Sequence, residues 1–256
     1  MTSPRLFKVG VQLQPQNTSI ENLRTAWRAA DEMGVDSIWT WDHFYPLYGN
    51  PEANHFEGWS LLAAAAVETK TATIGMLVSG NTYRNPDLLA DIARTVDHLS
   101  GGRCVLGMGA GWFERDYDEY GYEFGTAPDR LRALEVSLQR IKARISKLTP
   151  QPISKLPILI GGGGEKVTLR LVAQYADMWN TFGPAENFAA KSAVLDEWCA
   201  KVGRDPAQIE RTVLLSASDA GDAEKLVAAG ASHVIVGITQ PFDLSPVEEL
   251  LDLAIQ

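Results

Sequence analysis

Short apolar runs alternate with longer amphipathic stretches eight times along this chain, and that rhythm constrains the fold more than any other feature. FKVGVQLQ reads as a strand. SIENLRTAWRAADEMG reads as a helix, with apolar residues at Leu23, Trp27, Ala30 and Met33, Ser19 as the N-cap and Gly34 as the stop. The pairing recurs as DSIWTW with GWSLLAAAAVETK, TATIGMLVS with NPDLLADIARTVDHLSGG, and RCVLGMG with DRLRALEVSLQRIKARISK. It continues as LPILIG with EKVTLRLVAQYA, DMWNTF with PAENFAAKSAVLDEWCAKVG, IERTVLLSA with DAEKLVAAG, and SHVIVGI with PVEELLDLAI. Strict alternation predicts an α/β fold with a parallel sheet. No composition break or Pro/Ser-rich linker divides residues 1–256, so the expectation is one domain. Eight units in 256 residues match a (β/α)8 TIM barrel. The alternative is a doubly wound open sheet, but its usual G-x-G-x-x-G after the first strand is absent.

The formal net charge is −9, and no basic stripe interrupts it, which argues against nucleic acid or an anionic membrane as partner. No run of eighteen apolar residues occurs, and MTSPRLFKVGVQ lacks the apolar centre of a signal peptide. Cys104 and Cys199 read as two reduced structural thiols. The expected location is the cytoplasm. His43, His55, His98 and His233 have no ligand spacing among themselves or with the cysteines, so no metal site is predicted.

In such a barrel the functional residues sit at the C-terminal strand ends and in the loops that follow. Strand 1 ends in QLQPQ, where Gln12 or Gln14 offers an amide to the mouth or points into the barrel as a satisfied polar group. Strand 2 ends in Asp42–His43. A histidine exchanges protons near neutral pH, and adjacent residues of an extended strand point to opposite sides, so Asp42 need not touch the His43 ring. The aromatic loop FYPLYGNPEANHFE follows and is long enough to cover a site. Strand 3 leads into Ser79, Gly80, Asn81 and Arg84, the last read as solvated. Strand 4 carries Gly107, Gly109 and Gly111, which leave room either for a planar ring or for a tightly packed neighbouring strand. WFERDYDEYG reads as a solvated acidic rim. Strand 5 ends in IGGGGEKVT: four glycines before a helix, the arrangement that binds phosphate through backbone amides, with Lys166 nearby and Thr181 and Gly183 able to complete the site. It is not a Walker motif. An aldolase- or isomerase-like barrel would need a lysine or paired carboxylates at a strand end, and neither is found.

Together WDHF, LVSGNTYRNP, LSGGRCVLGMGAGWFERDYDEYG and PILIGGGGEKVTLRLVAQYADMWN resemble the luciferase-like oxidoreductase family, whose members use reduced flavin or the deazaflavin coenzyme F420. The resemblance covers nearly the whole chain. It implies a (β/α)8 barrel with the cofactor ring at the mouth and a small organic substrate on the ring's exposed face, beneath Trp112, Phe44 and the loop after strand 2. His43 becomes the proton donor or acceptor. Asp42, Met76, Leu77, Ser79, Gly107, Met108 and Gly109 become cofactor contacts, with a non-proline cis peptide at Met76–Leu77. Gly162, Gly163, Gly164, Glu165 and Lys166 become the phosphate turn. WDHF favours F420 over FMN. The alternatives are an FMN-dependent monooxygenase and a non-catalytic cofactor carrier, and family members are often homodimers. Two departures stand out. Ala110 replaces the glutamate that the sugar-phosphate dehydrogenases of the F420 branch carry after the strand-4 glycines, with Glu114 close by in sequence. SKLTPQPISKLP is short where relatives carry an insertion, which suggests an abbreviated lid.

Overall fold

Near-continuous apolar strands need both faces covered, and a barrel wrapped in helices meets that need. In the computed structural model, which describes residues 5–255, the strands are β1 Lys8–Leu13, β2 Ser37–Thr40, β3 Thr73–Met76, β4 Ser79–Gly80, β5 Cys104–Gly109, β6 Ile158–Gly161, β7 Met178–Phe182, β8 Glu210–Ser216 and β9 His233–Ile238. All pair in parallel, and β9 returns to β1 with Lys8 opposite His233, which closes the barrel. β3 and β4 are two pieces of one barrel strand, both paired with β5, so the closed sheet has the expected eight positions. Residues 1–4 and 256, which the sequence places in the same expected domain, lie outside the described residues.

The helices are α1 Ile20–Met33, α2 Gly58–Glu68, α3 Pro86–Ser100, α4 Glu114–Tyr120, α5 Ala127–Ile145, α6 Thr168–Tyr175, α7 Ala185–Val202, α8 Ala223–Ala228 and α9 Ser245–Leu253. Local chemistry sets their ends. Ser19 accepts from the Asn22 amide and Gly34 takes the left-handed conformation, as the sequence predicts. Asn85 caps α3 ahead of Pro86, and Thr126 with Asp129 forms a capping box on α5. Two expectations change. α4 occupies the segment read as an acidic rim. α6 begins at Thr168 rather than directly after the glycines, because a turn over residues 165–167 intervenes.

The larger apolar layer lies between strands and helices, where Val9, Val11, Ile74 and Val234 meet Trp27, Leu89, Leu169 and Phe188. The barrel interior holds a second layer of Trp39, Leu77, Val105, Leu159, Met178 and Ile235. Beneath Trp39 the filling turns polar. The Trp39 indole donates to Ser37 Oγ at 2.6 Å, Ser37 Oγ lies 2.8 Å from His233 Nε2, and His233 Nδ1 lies 2.7 Å from Glu210 Oε1. Lys8 Nζ reaches the other Glu210 oxygen at 2.7 Å. Gly10 is required here, since a Cβ would come within 2.2 Å of Ser37 Oγ.

Burial pushes the Glu210 carboxyl up, but His233 and Lys8 outweigh it and hold it at about 2. A carboxyl depressed in the folded state stabilises the fold above its unfolded value near 4.5 and loses that contribution as the pH falls towards 2. The expected loss is at most about 3 kcal/mol. Urea denaturation of the wild type and Glu210→Gln between pH 7 and 3 reads it. The gap between the two narrows as the pH falls, and a constant gap contradicts this assignment.

Candidate active site

The chain breaks its third barrel strand at residues 77–78, and the mouth is organised around that break. The non-proline cis peptide is Leu77–Val78, one bond later than the Met76–Leu77 position implied by the resemblance. Gln12 Nε2 donates to the Leu77 carbonyl at 2.7 Å from inside the barrel, so Gln12 is the satisfied polar residue of the QLQPQ strand end. Gln14 Oε1 is buried and meets no donor among the described residues. The strand-4 glycines Gly107 and Gly109 are needed for packing. A Cβ at Gly107 would lie 1.7 Å from the Met76 carbonyl oxygen, and one at Gly109 would lie 2.7 Å from Val78 Cγ2. Their bare backbones admit the bulge, and the bulge in turn presents Leu77, Val78 and Ser79 to the cavity. Trp59 donates its indole N–H to Ser79 Oγ at 2.9 Å and fixes that hydroxyl.

A cavity of about 1330 Å³ opens at the C-terminal strand ends, where barrels of this kind keep their sites. His43, Leu77, Ser79, Gly109, Gly162, Gly163 and Gly164 all line it. Asp42, Met76, Gly107, Met108, Glu165 and Lys166 do not. Met76 and Met108 are sealed in the layer beneath the helices. Asp42 is turned the opposite way from His43, as the strand geometry predicts, and is wholly buried against Arg84. Arg84 Nη1 and Nη2 grip its two oxygens at 2.5 and 2.9 Å, and Nη2 also bonds Glu57. Arg84 is therefore not solvated, and Asp42 is a structural ion-pair partner instead of a cofactor contact. Burial pushes the Asp42 carboxyl up to about 6 against the pull of the Arg84 guanidinium.

The partner of His43 comes from α4. Nδ1 of His43 lies 2.7 Å from Asp116 Oδ2. Tyr83 Oη donates to the same oxygen at 2.7 Å, and the Phe44 amide donates to Oδ1 at 3.0 Å. Asp116 has no exposed surface, and three donors converge on it. A carboxylate opposite Nδ1 fixes the proton there and leaves Nε2 as the nitrogen free to exchange one at the cavity. Burial and the Asp116 carboxylate push the Tyr83 phenol up, so Tyr83 stays a donor. Trp112 and Phe113 meet the His43 ring edge-on at 5.6 Å each. Phe44 stacks on Tyr120 at 4.3 Å, outside the cavity lining, so of the three expected covers Trp112 and the loop after β2 reach it and Phe44 does not. Glu114 is exposed on the first turn of α4 and outside the lining.

The glycine turn is held open from behind. The Trp179 indole donates to the Gly162 carbonyl at 2.9 Å, the Leu169 amide to the Gly164 carbonyl at 3.0 Å, and the Trp198 indole to the Glu165 carbonyl at 2.7 Å. In a trans peptide the C=O and the following N–H point in opposite directions. The amides of Gly163, Glu165 and Lys166 are thereby turned away from those donors. Gly162 has φ +123°, a conformation that favours glycine, and a Cβ on Gly164 would lie 2.8 Å from Thr168 Oγ1. Amides turned this way in a glycine turn, with Gly163 in the cavity lining, suit a phosphate group. Glu165 points outward and pairs with Lys191 Nζ at 2.6 Å.

The short connection before β6, residues 146–157, runs from the end of α5 to the start of a strand and thus lies at the N-terminal end of the barrel, where Asp97 Oδ2 takes the amides of Ile153 and Ser154 at 2.7 and 3.0 Å. It is no lid, because the cavity opens at the other end. The loop after β2 covers the mouth instead, pinned where Gln16 Oε1 accepts from the Leu47 and Tyr48 amides.

The luciferase-like monooxygenase model matches residues 5–247, and the chain belongs to that family. Two curated relatives are similar to it. An F420-dependent glucose-6-phosphate dehydrogenase of Amycolatopsis mediterranei is 29% identical, covering 67% of this chain and 55% of its own length. A 5,10-methylenetetrahydromethanopterin reductase of Archaeoglobus fulgidus is 28% identical, covering 90% and 69%. Among solved structures, an F420-dependent secondary alcohol dehydrogenase in complex with an F420-acetone adduct superposes with TM-score 0.86 over the whole of both chains at 16% identity, a likeness of fold.

Proposed function

We propose that this protein is an F420-dependent oxidoreductase that moves a hydride between the deazaflavin and a small organic substrate at the barrel mouth. The observation that carries the reading is the pairing, on one cavity, of an oriented histidine with an amide-lined glycine turn. A volume of about 1330 Å³ exceeds the ~300–1,000 Å³ of a single-ligand pocket and has room for cofactor and substrate together. The names of the similar relatives favour F420 over FMN.

Bound deazaflavin would supply the two-electron hydride chemistry. The chain supplies the rest. The amides of the turn around Gly163 hold the phosphate end. Leu77, Val78 and Ser79 offer a shaped wall, and Gln12 and Trp59 stiffen it from behind. His43 Nε2 takes the substrate proton in oxidation and returns it in reduction, while Asp116 keeps the Nδ1 proton in place. Ala110 supplies no acid beside it, so the proton traffic rests on His43 alone. The described residues also fit a single-domain reading. Two buried free thiols, Cys104 and Cys199, suit the reducing cytoplasm, and the family resemblance supports a homodimer.

Fluorescence titration with oxidised F420 and with FMN tests the cofactor, using wild type and Gly164→Val. Binding of F420 by the wild type, weakened at least tenfold by the valine that fills the turn, is the expected result. Preference for FMN moves the reading to an oxygen-using monooxygenase, and binding of neither sinks it. With F420 bound, 1-phenylethanol is the first substrate to try.

A further inference from the structure

Among the described residues that line the cavity, none is a lysine or an arginine. The charged groups there are Asp219, Asp222 and Asp243, on the segments that follow β8 and β9. Lys225 Nζ pairs with Asp222 at 2.7 Å, while Asp219 accepts from the Ser216 hydroxyl and Asp243 from the Ser245 amide and hydroxyl. Of the two lysines beside the glycine turn, Lys191 is matched by Glu165, and Lys166 lies outside the cavity lining. The amides of that turn favour an anion, and on the proposed function they are taken by the cofactor phosphate, which adds negative charge of its own. A second anion would meet the Asp219 and Asp243 carboxylates, with Lys225 already paired to Asp222, in a partly enclosed site where such repulsion is screened less than in open water.

The rest of the wall is apolar and aromatic. Tyr48, Trp112 and Phe182, on three different strand-end segments, are each 61% exposed at the rim. Large rings held in solvent around a cavity mark a surface that gains by covering. Leu214, Leu226 and Ile238 extend the apolar wall below. Within it Gln14 carries a buried Oε1 that meets no donor among the described residues, and an unmet buried acceptor favours a ligand that brings a hydroxyl or N–H.

We infer, resting on the cofactor reading above, that the substrate is an uncharged or cationic molecule, largely apolar and of aromatic-ring size, carrying a hydrogen-bond donor, and that phosphorylated and carboxylated metabolites are rejected. Tyr48, Trp112 and Phe182 bind its apolar body. Asp219, Asp222 and Asp243 set the charge preference. This separates the chain from its glucose-6-phosphate dehydrogenase relative, for which an anionic group is part of the substrate.

One scaffold in three charge states tests the inference: 1-phenylethanol, its 4-carboxylate and its 4-aminomethyl derivative, with glucose 6-phosphate as a fourth probe. Each is titrated by calorimetry into protein carrying F420 and into cofactor-free protein whose glycine turn is saturated with inorganic phosphate. The neutral and cationic alcohols bind at least tenfold more tightly than the carboxylate, glucose 6-phosphate binds no better than the carboxylate, and the gap shrinks with added salt. In the Asp219→Asn/Asp222→Asn/Asp243→Asn variant the carboxylate gains affinity and the neutral alcohol changes less than twofold. Equal or tighter binding of either anion by the wild type overturns the inference. So does failure of all three aryl alcohols to bind, or a charge preference that survives the triple substitution unchanged. Failure of F420 to bind overturns the cofactor reading alone, because the order of affinities in the phosphate-saturated protein still decides the substrate class.

Discussion

His43→Ala lowers turnover of 1-phenylethanol with F420 by about 10²–10⁴-fold while the dissociation constant for F420 moves by no more than about threefold. The asymmetry follows from where the ring sits. His43 lines the cavity but belongs to the β2 end, whereas the phosphate turn is built from residues 162–164 after β6. Removing the imidazole takes away the proton acceptor and leaves the turn and the Leu77–Ser79 wall in place. A carrier protein would have no turnover to lose, so F420 binding with no reaction in the wild type itself refutes the enzyme. Asp116→Asn separates orientation from chemistry. Asp116 acts through His43, and an amide can present one acceptor oxygen where the carboxylate presents two to His43, Tyr83 and the Phe44 amide. The expected signature is a displaced pH profile of kcat/KM with F420 affinity retained. A lowered rate with an unmoved profile would reduce Asp116 to a purely structural role.

The barrel was legible because its signal repeats. Each strand is a short apolar run and each long helix has several turns in which to display a 3.6-residue period. α4 has only two turns, and in ERDYDEY the inward residues Asp116 and Tyr117 are a carboxylate and a phenol, so nothing apolar marks the buried face. That is why the partner of His43 passed as part of a solvated rim. The glycines were visible, but their work was not. Gly107 and Gly109 answer to Met76 and Val78 on a neighbouring strand, a contact set by three-dimensional register. The indoles of Trp179 and Trp198 that hold the glycine turn open lie 17 and 33 residues from the carbonyls they bond, and no local pattern joins them. Asp42 was singled out because it stands beside His43. The rule that neighbours on a strand face opposite ways already separated the two, but it did not reveal Arg84, 42 residues on, as the group waiting on the other side.

That ion pair sets the second large effect, which falls on stability. Arg84→Met removes the guanidinium and leaves Asp42 fully buried with an uncompensated charge. Loss of one partner of such a pair costs about 3–5 kcal/mol, more than the net worth of the pair itself. The pH response carries the proof. In the wild type burial already raises the Asp42 carboxyl to about 6, above its unfolded value near 3.8, so its protonation stabilises the fold at low pH and that contribution is lost as the pH rises through the folded value. Without Arg84 the carboxyl is pushed higher, and the window in which stability is lost moves into the neutral range. Urea denaturation therefore finds Arg84→Met most deficient at pH 8 and partly recovered at pH 6. Adding Asp42→Asn restores a large part of the loss at pH 8 and abolishes its pH dependence, because a neutral amide needs no counter-charge. If the double variant is instead as unstable as the sum of the two single ones, the residues do not act as a pair. Arg84 would then stabilise the fold through Glu57, its other partner, at the N-cap of α2.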